Sequence, residues 1–378
     1  MAFEEVAIIG AGLCGLTLAI ALQRSGAIML SPNGLRSLDH IGVYDRIEDN
    51  SYSFSYGYFR SNDHIVVGEY EMGNAKRYEY DAMRIYRKVL LDELRLMAQE
   101  AGVQIQYGKK LARIISEDDS GVQFACVDGQ EHRADLLVGA DGIHSTVRRH
   151  LCPDVETVFS NVLSIITAVP TSAVKFPFEP YDLPSSIHHE SGAFILAPQG
   201  AHGEELLLAT QQVTHERDRA GWVALVNDKE HLYSLMRQDY GKWNSSVQNA
   251  LDAVDPEKIF VWPFYSVPKL PSWRSEAGKV VMLGDADHAI PPAAGQGINK
   301  GFEDVESLAL LVAAASEKNV PWDECLKWWQ QYREGRIDHV TWLTNEMNRR
   351  RMPGWDGTDV DPIDNSELFG QRRAEVAG

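Results

Sequence analysis

The feature that most constrains this chain is six residues long: Gly10-Ala11-Gly12-Leu13-Cys14-Gly15. It follows a short apolar run, EVAII at 5–9, and leads into Leu13, Leu16 and Ile20 at spacings of three and four, with Ala19 and Leu22 widening the apolar face. This pattern predicts strand, tight turn and amphipathic helix. The first glycine permits the turn, and the second lets backbone N–H groups approach a pyrophosphate at the helix N-terminus. The third lets helix and strand pack closely. The glycine spacing alone is weakly specific; its position between a strand and a helix favours a dinucleotide site over a plain turn.

Two further stretches carry related chemistry. Residues 135–142 form an apolar strand ending in Asp141-Gly142, by itself an ordinary turn signal. Residues 279–299 run from the strand KVVMLG through Gly284, Asp285 and a Gly/Pro-rich turn into a helix predicted at about 297–315. A carboxylate just past a strand can accept a hydrogen bond from a sugar hydroxyl. Gly295 and Gly297 let a helix N-terminus come close to a ring carbonyl on which negative charge develops.

At 378 residues the chain exceeds the roughly 250–300 residues at which a single core stops growing, which suits a two-part enzyme. Its 36 basic and 54 acidic residues give a net charge of −18, which opposes binding to nucleic acid or to an anionic membrane surface. Arg349, Arg350 and Arg351 form one short basic run, predicted to be a solvated helix end. Cys14, Cys126, Cys152 and Cys325 show no CxxC spacing, so a reducing, intracellular setting without disulfides or a zinc knuckle is expected. No run reaches the ~20 apolar residues needed to cross a bilayer, and with no targeting motif the expected location is cytoplasmic.

Along the chain, Tyr52, Phe54, Tyr56 and Tyr58 alternate, and HIVVGEYE follows after Ser61-Asn62-Asp63, predicting a hairpin with one aromatic face. A helix is predicted over 85–100, then strands at VQIQY (103–107), LARIIS, VQFACV and ADLLVGA. Between about 160 and 262 separated strands with one helix near 228–240 predict a mainly antiparallel layer. A helix rich in Trp328, Trp329 and Tyr332 is expected to run to about 350, with an acidic, loop-like tail after Pro353.

Taken together, GAGLCG, GADGIHSTVR and LGDADHAIPPAAGQG resemble the three ordered fingerprints of the FAD-dependent aromatic hydroxylases, and the likeness to salicylate-hydroxylase-like members, particularly fungal ones, covers nearly the whole chain. The resemblance implies an α/β fold: a Rossmann-like FAD-binding domain (1–50, 78–158 and 259–345), an inserted mainly antiparallel β-sheet substrate domain (51–77 and 159–258), C-terminal helices and a tail (346–378). It also implies that Gly10, Gly12 and Gly15 cradle the pyrophosphate, that Ala27, Arg87 and Gly284 contact FAD and that Asp285 holds the ribitol. Pro292, Gly295, Gln296, Gly297, Ile298 and Asn299 would line the flavin ring. In this family the Asp141-Gly142 turn is associated with both FAD and NAD(P)H.

One departure stands out. In the family a second strand ends in an acid that binds the adenosine ribose; here Ser25-Gly26 run directly into Ala27-Ile28-Met29-Leu30-Ser31-Pro32-Asn33, so roughly twenty residues of the βαβ unit are missing. Asp39 has the right separation from Gly15 but lies in LRSLDHIGV, where Leu35, Leu38 and Ile41 are expected to face inward and Asp39 to be solvated. A surrogate is offered by residues 27–30 taking the missing strand's place and presenting Asn33. Loss of one charged hydrogen bond weakens FAD binding by about 10- to 150-fold.

The activity implied is hydroxylation of a small aromatic or aromatic polyketide substrate, using NAD(P)H and O2 through a flavin C4a-hydroperoxide, with no protein nucleophile. Tyr56, His189, Phe194 and Tyr265 are the pocket candidates, and His189 and Tyr265 the acid–base ones, although alternating aromatics more often mark a sheet core. His188 and His189 do not suggest a metal, because strand neighbours point to opposite faces. A halogenase is disfavoured because Gly221-Trp222-Val223-Ala224-Leu225 lacks a second tryptophan. A flavin oxidoreductase without oxygenation, or an idle shortened homologue with weak FAD binding, stands as the alternative.

Overall fold

The sequence is most continuously apolar at LLVG and VVM, and there two strands are buried on both faces: β10 (Leu136–Gly139) and β16 (Val280–Met282). With β1 (Val6–Ile9) they form a parallel sheet in the order β1-β10-β16. The computed structural model describes residues 5–10, 12, 27–318, 320–355 and 363–369. One face of this sheet packs against α10 (Gly297–Lys318) and α11 (Trp322–Arg351), the other against a small meander of β7 (Leu111–Asp118), β8 (Gly121–Cys126) and β9 (Glu131–Ala134).

On β1 the burial pattern changes. Among the described residues it pairs only with β10, and Val6 and Ile8 are 43% and 59% exposed. The predicted strand at 103–107 does not form: it is irregular, with Val103 and Tyr107 exposed. A strand exists only with a partner, and no described strand supplies one for this segment.

Residues 27–30 are a strand, β2 (Ala27–Leu30), but not the surrogate expected. It pairs antiparallel with β6 (Ala82–Tyr86), which also takes β3 (Tyr52–Phe54), and has no ladder to β1. Asn33 lies buried at the start of α1 (Pro32–His40), where its side-chain amide donates to Glu303 at 2.6 Å and its oxygen accepts from the Ser31 hydroxyl at 2.6 Å. Leu35 and Leu38 face the core as expected, but Ile41 falls past the helix end and is exposed. Short helices α2 (Tyr44–Ile47) and α3 (Ala75–Tyr78) and the longer α4 (Arg87–Glu100) complete this region.

The remaining layer is a seven-stranded sheet, β15-β11-β14-β13-β12-β4-β5. Its strands are β4 (Tyr56–Ser61), β5 (Val66–Glu71), β11 (Val158–Pro170), β12 (Ser185–His189), β13 (Gly192–Gln199), β14 (Glu205–Val213) and β15 (Phe260–Ser266). The predicted hairpin forms between β4 and β5, but its single aromatic face does not. Tyr52 and Phe54 belong to the β2-β6-β3 sheet, and on β4 the core residue is Phe59, out of phase with Tyr56 and Tyr58. One face of the large sheet is covered by three helices where one was expected: α6 (Arg219–Asn227), α7 (Lys229–Met236) and α8 (Ser245–Asp252). Asp218, Asp228 and Asn244 cap them, each accepting a backbone N–H. The opposite face meets α11 and the turn at 292–294.

Between the motif helix and the tryptophan-rich helix lies a buried ion network. Arg333, 1% exposed, donates to Asp304 at 2.6 Å and to Glu303 at 2.5 Å; Arg336 and Lys300 also reach Glu303. Asp304 accepts the Gly284 N–H at 3.0 Å and lies 2.5 Å from His288 Nε2, which ties in α9 (Asp285–His288). Asp287, His288 and Asp304 come close enough to hold a cation, but Arg333 already supplies a positive partner there. The tail, expected to be loop-like, forms α12 (Ser366–Phe369) among its described residues and buries Leu368 and Phe369, and Arg336 donates to the Leu368 carbonyl. Arg350 and Arg351, expected to be solvated, are buried. No described helix is long and apolar enough to cross a membrane.

Two predictions follow from the network. Arg333→Met leaves two buried carboxylates short of a counter-charge and is expected to destabilise the protein by about 3–5 kcal/mol, read from the urea midpoint. The second concerns pH. Burial lowers the His288 pKa, but Asp287 and Asp304 overcome it and raise it from 6.5 to about 9. Burial, then Asp304, pushes Asp287 up from 3.8 to about 8. Both groups hold protons in the folded state that the unfolded chain releases at lower pH, so the stability His288 contributes is complete below pH 6.5 and lost through pH 9. The raised Asp287 carboxyl acts in the same direction, its contribution complete below pH 3.8 and lost as pH rises through about 8. The melting temperature is expected to fall between pH 6.5 and 9, and less so in Asp287→Asn; a flat profile would contradict the coupling.

Candidate active site

Because β1, β10 and β16 are parallel, their carboxyl ends lie side by side, and each is followed by one of the glycine-containing turns. In such sheets this edge is where ligands bind. Gly10 has φ +102°, and a Cβ there would stand 2.4 Å from the Ala140 carbonyl oxygen, so only glycine permits this approach of the first turn to the second. Gly12 is buried beside it; Gly15 lies outside the described residues.

At the second turn the Asp141 carboxylate accepts from the Ser145 hydroxyl at 2.5 Å and the Thr146 N–H at 2.7 Å. It thus braces Ser145, the N-cap of α5 (Thr146–Leu151), and Gly142 turns the chain at φ +75°. Arg148, the last residue of that motif, is buried and donates to the Ala286 carbonyl at 2.8 Å and the Ile143 carbonyl at 2.5 Å. It fastens the second turn to the third, a role the sequence did not single out.

At the third turn Gly284 has φ +67° and Asp285 points out from the end of β16. Asp285 is exposed to solvent at its surface; desolvation by the surrounding protein pushes its carboxyl pKa up, while His288 and Arg87 pull it down. Arg87, at the start of α4, lies with its guanidinium 5.7 Å from the Trp262 ring. Arg87 and Asp285 therefore share one electrostatic environment although 198 positions separate them in the chain.

The loop that follows is locked to β2. Asn299, fully buried, accepts from the Ser31 N–H at 3.1 Å and donates to the carbonyls of Met29 (3.2 Å) and Gly295 (3.0 Å). The Gln296 side chain accepts from the Ser31 hydroxyl at 3.2 Å. Both side chains are spent inside the loop, leaving its backbone, exposed Pro292 and half-buried Gly295, Gly297 and Ile298 as the surface. A Cβ on Gly297 would meet nothing nearer than 4.0 Å, so the N-terminus of the 22-residue α10 is open to close approach. The Ala27 N–H donates to Gln199 at 3.2 Å, joining β2 to the large sheet. Asp39 is exposed, as expected, and accepts from the Tyr80 hydroxyl at 2.6 Å.

The pocket candidates do not gather at this edge. His189 packs against Trp243 and Phe194 does the same, on the helix-covered face of the large sheet. Tyr265 accepts from Trp222 at 3.1 Å, which also gives the Gly221–Leu225 stretch a packing role, and Tyr56 bonds Glu71 at 3.4 Å. His188 occupies the other face, with Phe59 and Trp355 around it; burial, then Arg351, lowers its pKa to about 3, so it is neutral. Alternation separated the two histidines, but only the fold reveals which face meets Ala293 and Ala294 of the loop.

A tight glycine turn at a parallel strand end, an exposed carboxylate two strands along the same edge and an open helix N-terminus fit an extended phosphate-bearing dinucleotide. Comparison with known proteins agrees. Residues 27–322 match the family described as FAD binding domain. The 6-hydroxynicotinate 3-monooxygenase of Bordetella bronchiseptica is 26% identical over 339 residues, covering 81% of this chain and 82% of the relative. The salicylate hydroxylase of Pseudomonas putida is 24% identical over 396 residues, covering 92% and 87%. Among solved structures, a salicylate hydroxylase substrate complex superposes with a TM-score of 0.78 at 18% identity, covering 98% of this chain and 96% of that one. Klebsiella pneumoniae HpxO complexed with FAD and uric acid gives 0.74 at 22%, covering 99% and 95%. With the family model spanning most of its length and the turns it needs brought to one edge, the chain belongs to the FAD-binding-domain family, and its cofactor is FAD.

Proposed function

We propose that this protein is an FAD-dependent monooxygenase that adds one oxygen atom of O2 to a small aromatic or aromatic polyketide substrate, with NADPH or NADH as reductant. The balance is substrate-H + NAD(P)H + H+ + O2 giving substrate-OH + NAD(P)+ + H2O. The supporting observation is that Gly10 and Asp285 follow strands of one parallel sheet at the same edge and that the loop after Asp285 leads into the α10 N-terminus and packs against the large sheet. Relatives named for hydroxylation of hydroxynicotinate and salicylate support the reaction class.

FAD, once bound, supplies the chemistry of hydride acceptance and O2 activation. The chain's part is to bind, orient and exclude water. The glycines at 10, 12 and 15 would receive the pyrophosphate, Asp285 a ribitol hydroxyl, and Arg87 and the Asp141-Gly142 turn adjoining parts of the nucleotide. Gly295, Gly297 and Ile298 would present backbone to the ring, with the α10 dipole favouring negative charge there. The layer of residues 51–77 and 159–258 would wall the substrate off from solvent.

The decisive test is aerobic turnover of NADPH and NADH with added FAD across phenols, salicylates and aromatic polyketides, with mass detection of products. Substrate-dependent reductant oxidation with a product heavier by one oxygen is expected; reductant oxidised to peroxide alone would overturn the proposal. Asp285→Ala is expected to weaken FAD by about 10- to 150-fold in a fluorescence titration, the range for one charged hydrogen bond. Wild-type protein, lacking the ribose acid, is expected to lose FAD on gel filtration, and stoichiometric retention would contradict that.

A further inference from the structure

Most buried cations in this fold have an acidic partner. Arg333 holds two carboxylates, Arg336 shares Glu303 and Arg60 pairs with Asp182. Two guanidiniums near the loop at 292–295, the buried Arg351 and the half-buried Arg84, do not follow this pattern. Arg351, at the last turn of α11, is 6% exposed and donates from Nη1 to the Ala293 carbonyl at 2.7 Å. Arg84, on β6, donates from Nε to the Pro198 carbonyl at 2.9 Å. Arg351 Nε and Arg84 Nη2 are buried with no hydrogen-bond acceptor, and among the described residues neither arginine forms a salt bridge to a carboxylate.

The two are neighbours through Tyr70, a buried residue of β5 within electrostatic reach of both and hydrogen-bonded to Arg351. Phe59 lies 5.1 Å from Tyr70, and His188 and Trp355 lie within 6.1 Å of Phe59, so the surroundings are aromatic. His188 Nε2, Trp355 Nε1 and the Ser186 hydroxyl are likewise buried without a partner. The group touches the loop assigned to the flavin at two points: Arg351 bonds Ala293, and Arg84 sits opposite Met29 on β2, whose side chain packs on Gly295. A buried guanidinium N–H left without an acceptor is costly, and two such groups beside one aromatic shell, with no carboxylate partner among the described residues, favour an anion there. Guanidinium forks match planar oxyanions, and flat rings suit an aromatic body.

We propose that Arg84 and Arg351, which reach the same loop through Met29 and Ala293, form the binding site for an anionic oxygen group, a carboxylate or a phenolate, on the aromatic substrate. This rests on the monooxygenase reading for the identity of the ligand, not for the existence of the anion site. The site makes the end of α11 a specificity element, and it selects anionic substrates within a protein whose overall charge of −18 repels them elsewhere.

The test is calorimetric titration of the full-length protein with FAD present, using benzoate against benzamide and 4-nitrophenolate against nitrobenzene. Wild type is expected to prefer the charged member of at least one pair by about 10-fold or more, the range for charge-assisted hydrogen bonds. A benzoate preference identifies a carboxylate, and a nitrophenolate preference a phenolate. Arg351→Met is expected to abolish the preference and Arg351→Lys to restore part of it. Arg84→Gln reports independently should Arg351→Met fail to fold. Equal binding of charged and neutral probes by wild type, or a preference that survives in both variants, overturns the site. Oxygenation without an anion preference also sinks the site alone; an anion preference without oxygenation sinks the monooxygenase reading alone.

Discussion

The arrangement depends on two adjacent acids, Glu303 and Asp304, held inside the protein by arginines from another helix. Burial opposes ionisation of Glu303, yet Arg336, Lys300 and Arg333 hold its carboxyl well below the usual carboxylate range. Through Asp304 the same cluster fixes the Gly284 N–H and His288, and through Glu303 it fixes Asn33. The third turn, the start of α1 and the α10–α11 pair are thereby referred to one point. Local propensity could not place a glycine-rich loop to within an ångström; a buried charge network with directional bonds can. Burial, then Arg336, lowers Lys300 to about pH 7, which relieves the cluster of excess positive charge.

The order of elements was legible because strand–turn–helix units have fixed chemistry. Gly10, Asp141 and Asp285 each follow an apolar strand, and parallel pairing brings their turns together whatever lies between. The helix at 297 and the long helix beyond it declared themselves by apolar spacing. What failed to show was everything decided by partners. The VQIQY segment has strand composition, but no described strand pairs with it. Residues 27–30 are a strand on another ladder than the one proposed, because β6 offers its edge to them.

Side-chain direction was the other blind spot. Three consecutive arginines look like a solvated helix end, but α11 crosses the large sheet and turns Arg350 and Arg351 inward while Arg349 stays exposed beside Glu346. The acidic tail hides Ile363, Leu368 and Phe369, too few apolar residues to register as a core segment until they meet Tyr78. For Gln296 and Asn299 the motif gave the position but not the use: their amides organise the loop, and the surface is left to backbone.

One flank of β1 has no partner strand among the described residues. Val6 and Ile8 stand in solvent beside main-chain groups that no described strand satisfies, which is a template for a strand from another molecule. Glu5 borders that rim, and the acidic exterior sets copies of the chain against one another as they approach. Mutual repulsion thus does at this rim what a further strand does in a completed sheet, and salt, by screening it, would bring the molecules closer to association.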